Sequence, residues 1–286
     1  MADAATAARG PGRPALSAYP DLDLVLYDIA AREAAVLGDT FAGMYLTGSA
    51  AIGDFDLASD VDFLVVTRGD LSRREVGAVQ ALHEAIYRTN RWTARLEYSF
   101  FPLDKLLRWR PGDFWYDDRG SPNTDPEGLL WYFDNGHPRI ERSRHGNSLI
   151  ERWTLRERSP VVGAGPDLHD LLPPVAPDDL RTEIRTMAHG WGAEIDRDPS
   201  PYRNRLYQAY LVLAYARMLH DHRAARISSK KTSALWARDH LDPTWRDLID
   251  FAWQERQDER IHVCQPADPS VFPRVLEFVR YAVRQL

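Results

Sequence analysis

The segment Tyr45–Thr67, YLTGSAAIGDFDLASDVDFLVVT, constrains the fold more than any other stretch of the chain. Phe41–Leu46 reads as a strand, Thr47-Gly48-Ser49 as the turn after it, and Asp60–Thr67 as a second strand with the apolar run Phe63–Val66. Side chains i and i+2 of a strand project from one face, so Asp60 and Asp62 point together. Two carboxylates so placed in a hydrophobic strand are expensive to bury unless a positive charge sits on them. A divalent metal carrying a nucleoside triphosphate meets that need. Mg²⁺ takes hard oxygen ligands in an octahedron and commonly completes it with substrate phosphates.

The remaining pattern divides the chain into two halves. Asp21–Leu37 has apolar residues at helical spacing. Leu71–Asn90 is a long amphipathic helix with Ser72 as N-cap and Glu75 completing a capping box. Thr93–Phe101 reads as a third strand with Glu97 in its middle. Short strands are expected at Leu129–Phe133 and Arg139–Glu141, and a helix near Ser148–Arg158. The Pro-rich run 165–179 reads as a connector. Beyond it, Leu180–Asp196, Asn204–Arg223, Ser229–Leu241, Pro243–Gln257 and Pro269–Gln285 all carry the 3.6-residue period. The expected fold is α+β: a mixed sheet flanked by helices, then an all-α bundle. The boundaries read as a disordered tail over 1–18, a first domain over 19–167 and a helical domain over 168–286.

Composition removes several classes of function. No window approaches the roughly 18 uninterrupted apolar residues of a membrane span. A single cysteine, Cys264, rules out an internal disulfide framework and a cysteine-based zinc site, which makes a reducing, cytoplasmic setting the expectation. The net charge of −6, with arginines interleaved among acids as in Ile150–Arg158, disfavours a nucleic-acid partner. Only three lysines stand against 33 arginines, so the adjacent pair Lys230-Lys231 is conspicuous.

The residue types then suggest a chemistry. Gly48-Ser49 at a strand-to-helix turn offers backbone N–H groups and a hydroxyl to phosphate oxygens. Phosphoryl-type transfer asks chiefly for positioning and charge neutralisation. Glu97 is the candidate general base for an acceptor hydroxyl, set against a strand-edge surface glutamate. Lys230 is a candidate triphosphate ligand, set against a solvated helix-start lysine. Asp113, Asp117 and Asp118 with Trp109 and Trp115 form a carboxylate–aromatic loop that could hold an amino sugar or be an ordinary solvated loop. His145 and Asn147, at a helix start, are candidate substrate contacts, with Asn147 alternatively an N-cap. Trp191 is core or cleft lining, and Asp54 and Asp56 are turn residues.

From Gly48 to Asp62 the chain resembles the signature of the DNA-polymerase-β-like nucleotidyltransferase superfamily. Over roughly residues 25–260 it resembles the aminoglycoside adenylyltransferases that modify streptomycin and spectinomycin. HGNSLIERWTLRERSPVVGAGPD (145–167), YRNRLYQAYLVLAYARMLHD (202–221) and ISSKKTSALWA (227–237) carry that narrower match. The resemblance implies that Asp60 and Asp62 bind Mg²⁺ and that Gly48 and Ser49 touch the ATP phosphates. It further implies that Lys230 and Arg203 contact the nucleotide and that Glu97 is the base. The acceptor would lie between the two domains. The family carries an acid close before its Arg-Asn pair; here Ser200-Pro201-Tyr202 stands there, and Asp196 and Asp198 are the nearest acids.

The expectation is therefore an Mg²⁺-dependent O-adenylyltransferase that moves AMP from ATP to a small polar acceptor of aminoglycoside type. A monomer without membrane or nucleic-acid partners is the expected state. The same chemistry on a protein or RNA acceptor is one competitor; a non-catalytic nucleotide sensor is the other.

Overall fold

A computed structural model describes residues 13–110, 115–116, 121–258 and 260–286. Residues 1–12 of the N-terminal tail, and Asp113, Asp117 and Asp118 of the acidic loop, lie outside the described residues. The chain forms two compact units. The first runs to Asp113 and resumes over Asp125–Pro174; the second is Val175–Leu286 together with Phe114–Thr124.

The first unit is built on a mixed five-stranded sheet in sequence order: β1 (Phe41–Leu46), β2 (Val61–Thr67), β3 (Leu96–Pro102), β4 (Leu130–Phe133) and β5 (Ile140–Ser143). Only β2 and β3 pair in parallel. A parallel pair needs a long crossover, and here it contains helix α3 (Arg73–Ile86). The sequence starts that helix as expected. Ser72 Oγ accepts from the Glu75 N–H at 3.3 Å while Glu75 Oε2 accepts from the Ser72 N–H at 2.8 Å. Such a cap is worth about 1 kcal/mol.

Both faces of the sheet are covered, which is why β2 reads as a continuous apolar run. Phe63, Val65, Tyr98 and Phe100 join one core with residues of α1 (Pro20–Leu37) and α3. Leu64, Val66 and Phe101 join another with residues of α4 (Leu103–Leu107), α5 (Leu149–Glu157) and α6 (Leu168–Leu171). The two-residue period then puts Asp62 on the Leu64 face and Glu97 on the Phe101 face, which is the same side of the sheet. A four-residue helix, α2 (Gly48–Ala51), follows β1.

The second unit is helical: α7 (Pro177–Arg197), α8 (Arg205–Ala224), α9 (Lys230–His240), α10 (Arg246–Arg256) and α11 (Phe272–Gln285). Helix α8 packs against the other four. Ala209, Leu211–Ala216 and Leu219 are buried around most of its circumference, as a central helix requires. Tyr116, from the loop that interrupts the first unit, belongs here: its hydroxyl donates to Glu194 Oε2 on α7 at 3.0 Å. Among the described residues no helix is long and apolar enough to cross a membrane.

The α+β architecture agrees with the sequence pattern, and several local details differ: the second strand begins at Val61 and leaves Asp60 outside it, and the helix expected over Leu71–Asn90 ends at Ile86. The third strand begins at Leu96, because Asn90 Oδ1 accepts from the N–H groups of Trp92 and Thr93 and holds Thr93–Arg95 in a 3₁₀ turn. Pro243–Trp245 is likewise a 3₁₀ turn capped by Asp242 ahead of α10. The connector is not wholly irregular, since Asp167 caps α6 within it.

Candidate active site

Register decides the first feature of the site. The parallel ladder makes Asp62 of β2 and Glu97 of β3 direct partners, one residue inside the start of each strand. Asp60 lies just before β2, and the Asn135 amide donates to its Oδ1 at 2.5 Å. All three acids are half-buried rather than solvated.

The turn after β1 is shaped around Asp62. Gly48 has φ +55°, and a Cβ placed there would lie 2.0 Å from Asp62 Oδ2. No other residue fits both the conformation and the space. The Thr47 N–H donates to the Asp62 carbonyl at 3.0 Å, tying the turn to β2. Next to Gly48, the Ser49 Oγ is buried with no hydrogen-bond partner. An unmatched buried hydroxyl is uncommon and marks a place where an outside group can bind.

Glu97 is held by two donors. The Tyr132 hydroxyl from β4 and the His145 Nε2 each lie 2.9 Å from Glu97 Oε1. Burial alone would lower the His145 imidazole. The Glu97 hydrogen bond and charge, reinforced by Asp62 and Glu151, outweigh that and push it up to about 9. The raised imidazole favours the protonated ring as the donor to Glu97. Burial and the charges of Glu97 and Asp134 keep the Tyr132 phenol far above its usual range, so it remains a donor. Burial pushes Glu151 on α5 up to about 7, and its Oε1 also lacks a partner.

The donor set bears on whether a metal fits. Among the described residues no three acidic, histidine or cysteine side chains converge as a closed cage. Glu97 is engaged by His145 and Tyr132, and Asp60 by Asn135. Two hard-oxygen carboxylates beside an unmatched hydroxyl suit a magnesium ion that brings phosphate and water as its remaining ligands.

Residues 37–116 match the nucleotidyltransferase domain family, and residues 170–285 match the aminoglycoside adenylyltransferase C-terminal domain family. The chain is an aminoglycoside-adenylyltransferase-like nucleotidyltransferase. No curated protein sequence matches it. Among solved structures it is similar to the spectinomycin adenyltransferase AAD(9) from Enterococcus faecialis, determined with ATP and spectinomycin. The TM-score is 0.62 and the identity 15%, over 93% of this chain and 98% of that one. At that identity the likeness is one of fold.

Within this nucleotidyltransferase the other sequence-derived candidates fall into distinct settings. In the first unit Asn147 is buried, its amide donating to the Gly128 carbonyl at 2.9 Å and its Oδ1 accepting from Arg152 at 3.0 Å. The N-cap of α5 is Ser148, not Asn147. Asp56 is the turn residue expected, accepting from the Ala58 N–H and the Ser59 hydroxyl. In the second unit Lys230 is the first residue of α9, its ammonium 5.0 Å from the Tyr210 ring centre. Arg203 follows a 3₁₀ turn, with its guanidinium 5.6 Å from the Phe272 ring. Asp196 pairs with Arg280 at 2.8 Å, and Asp198 braces Ser200. Trp115 is exposed, while the Trp191 indole stacks on Tyr215 and donates to the Tyr202 hydroxyl.

Sequence reasoning did not find Tyr132, Asn135 or Glu151. Tyr132 looks like one more apolar residue in Leu129–Phe133, and Asn135 like part of an Asp-Asn-Gly turn. Glu151 looks like the third residue of a helix, where acids are common for local reasons.

Proposed function

We propose that this enzyme transfers AMP from ATP to a hydroxyl of a small polar acceptor of aminoglycoside type, in a magnesium-dependent reaction. The observation that carries the proposal is the pairing of Asp62 with Glu97 across the parallel ladder, beside the unmatched Ser49 hydroxyl. The solved complex of AAD(9) with ATP and spectinomycin, which shares the fold, supports the nucleotide and the acceptor class.

Each residue has a task in this reading. Gly48 leaves room for a phosphate to approach the backbone, and Ser49 supplies the hydroxyl that lacks a partner. Asp60 and Asp62 would hold Mg²⁺, which when bound neutralises charge on the triphosphate. Glu97, held by His145 and Tyr132, accepts the proton of the acceptor hydroxyl. The hydroxyl oxygen forms its bond to the α-phosphorus as the α–β bridging bond breaks, and pyrophosphate departs with that electron pair.

The test is direct. The protein is incubated with ATP, MgCl₂ and, separately, streptomycin, spectinomycin and a lincosamide, while pyrophosphate and the acceptor mass are followed. Pyrophosphate with an acceptor heavier by one AMP is expected. No pyrophosphate with any acceptor would overturn the proposal.

A further inference from the structure

The loop between β5 and α5 is fastened to β3 at the residue that matters. The His145 carbonyl accepts from the Ser99 hydroxyl at 2.8 Å, two residues along β3 from Glu97. Gly146, at φ +83°, passes so close that a Cβ there would lie 3.2 Å from Ser99 Oγ. The Ser143 hydroxyl accepts from the His145 N–H at 3.2 Å, and the Asn147 N–H donates to the Arg144 carbonyl at 2.9 Å. The imidazole is thereby presented to Glu97 by anchored backbone. Its ring lies 4.7 Å from that of Tyr132, the second donor to the same carboxylate oxygen.

We infer that His145 is a positioning residue for the general base: with Tyr132 it fixes the Glu97 carboxylate against the acceptor hydroxyl. The inference rests on the adenylyl-transfer reading above and assigns the histidine a role other than binding substrate. The charged and titratable groups facing the ring are Glu97 from β3, Asp62 from β2, Glu151 from α5 and Tyr132 from β4. Holding a base to within a fraction of an ångström matters because a misplacement of about 1 Å can cost roughly 10²-fold in rate.

Three variants separate positioning from bulk. His145→Ala removes donor, charge and ring. His145→Gln restores an N–H donor at similar reach, and His145→Phe restores a ring against Tyr132 without any donor. Steady-state AMP transfer, with thermal melts of each protein, is the measurement. Expected for His145→Ala is a kcat lower by about 10- to 100-fold, with KM for ATP and acceptor within about twofold of wild type. His145→Gln should recover about a third or more of the loss on a logarithmic scale, and His145→Phe none. Equal recovery by Phe, no recovery by Gln, or a raised acceptor KM at unchanged kcat would overturn the inference. Wild-type transfer with fully active His145→Ala refutes the role of His145 alone, whereas an inert wild type refutes the adenylyl-transfer reading and this inference with it.

Discussion

Each unit of this chain buries a cluster of polar side chains, and the two clusters are finished differently. In the helical unit, His220, Asp221, Ser228 and Ser233 are all under a tenth exposed. Asp221 Oδ1 accepts from the Ser228 N–H at 3.1 Å and its hydroxyl at 2.5 Å, and the Ser228 and Ser233 oxygens lie 2.7 Å apart. None of the side-chain polar atoms of these four is buried without a partner. At the sheet end of the other unit, Ser49 Oγ and Glu151 Oε1 are buried and unmatched, and burial together with the Glu97 charge raises the Glu151 carboxyl. A saturated network needs nothing from outside and rigidifies the fold. An unsaturated one raises the free energy of the empty protein and lowers it when a complementary ligand arrives.

The sharpest way to break this contrast is to remove an acid from the open cluster. Asp62→Ala, and separately Asp60→Ala, should reduce AMP transfer by on the order of 10³-fold or more. In the same variants Tm without nucleotide should fall by no more than a lost hydrogen bond costs, about 1–3 kcal/mol or roughly 2–10 °C. Turnover near wild type, or a Tm loss typical of a broken core, would show that these carboxylates are structural. Next in size is Glu97→Gln, for which kcat should fall by roughly 10²- to 10⁴-fold while ATP binding, measured calorimetrically, changes little. Normal turnover in that variant removes Glu97 from the base role.

How much of this was legible beforehand depends on whether the signal is local. The capping box at Ser72 and Glu75, the period-two faces of β2 and the helical periods of the second half are written in neighbouring residues, and the structure follows them. Asp62 and the Gly48 turn lie within one stretch, so their approach was visible too. The donors that hold Glu97 were not. Tyr132 and His145 reach it only because β3 pairs with β4 and the loop before α5 is tied to Ser99. The excursion of Tyr116 onto α7 is equally nonlocal, since Glu194 lies 78 residues away in sequence.

Glu33 tests whether an unmatched buried group always points to a ligand. It is fully buried on α1, and neither oxygen meets a donor at hydrogen-bond geometry. It solves the problem with a proton. Burial, only partly opposed by the Tyr98 hydroxyl, pushes the carboxyl up from 4.5 to about 8. A carboxyl raised in this way contributes its stability fully below pH 4.5 and loses it as pH rises through 8, because the unfolded chain releases the proton first. Wild-type stability should therefore decline between those limits by on the order of a few kcal/mol, while Glu33→Gln, which does not titrate, should lack that decline. Parallel pH profiles of Tm for the two proteins would mean that Glu33 is ionised in the fold and has found a charge partner.

The closed cluster supplies the smallest effect and the complementary control. Asp221→Ala leaves the Ser228 N–H and hydroxyl without their acceptor inside the helical unit, and leaving buried donors unmet costs about 1–3 kcal/mol. For a chain of this size that corresponds to a Tm lower by roughly 2–10 °C. Transfer assayed well below the melting range should be unchanged, because Asp221 completes a structure and waits for no ligand. A variant with normal Tm and lost transfer would reverse the assignment, making the saturated network part of the chemistry and leaving partner-counting unable to distinguish scaffold from site in this fold.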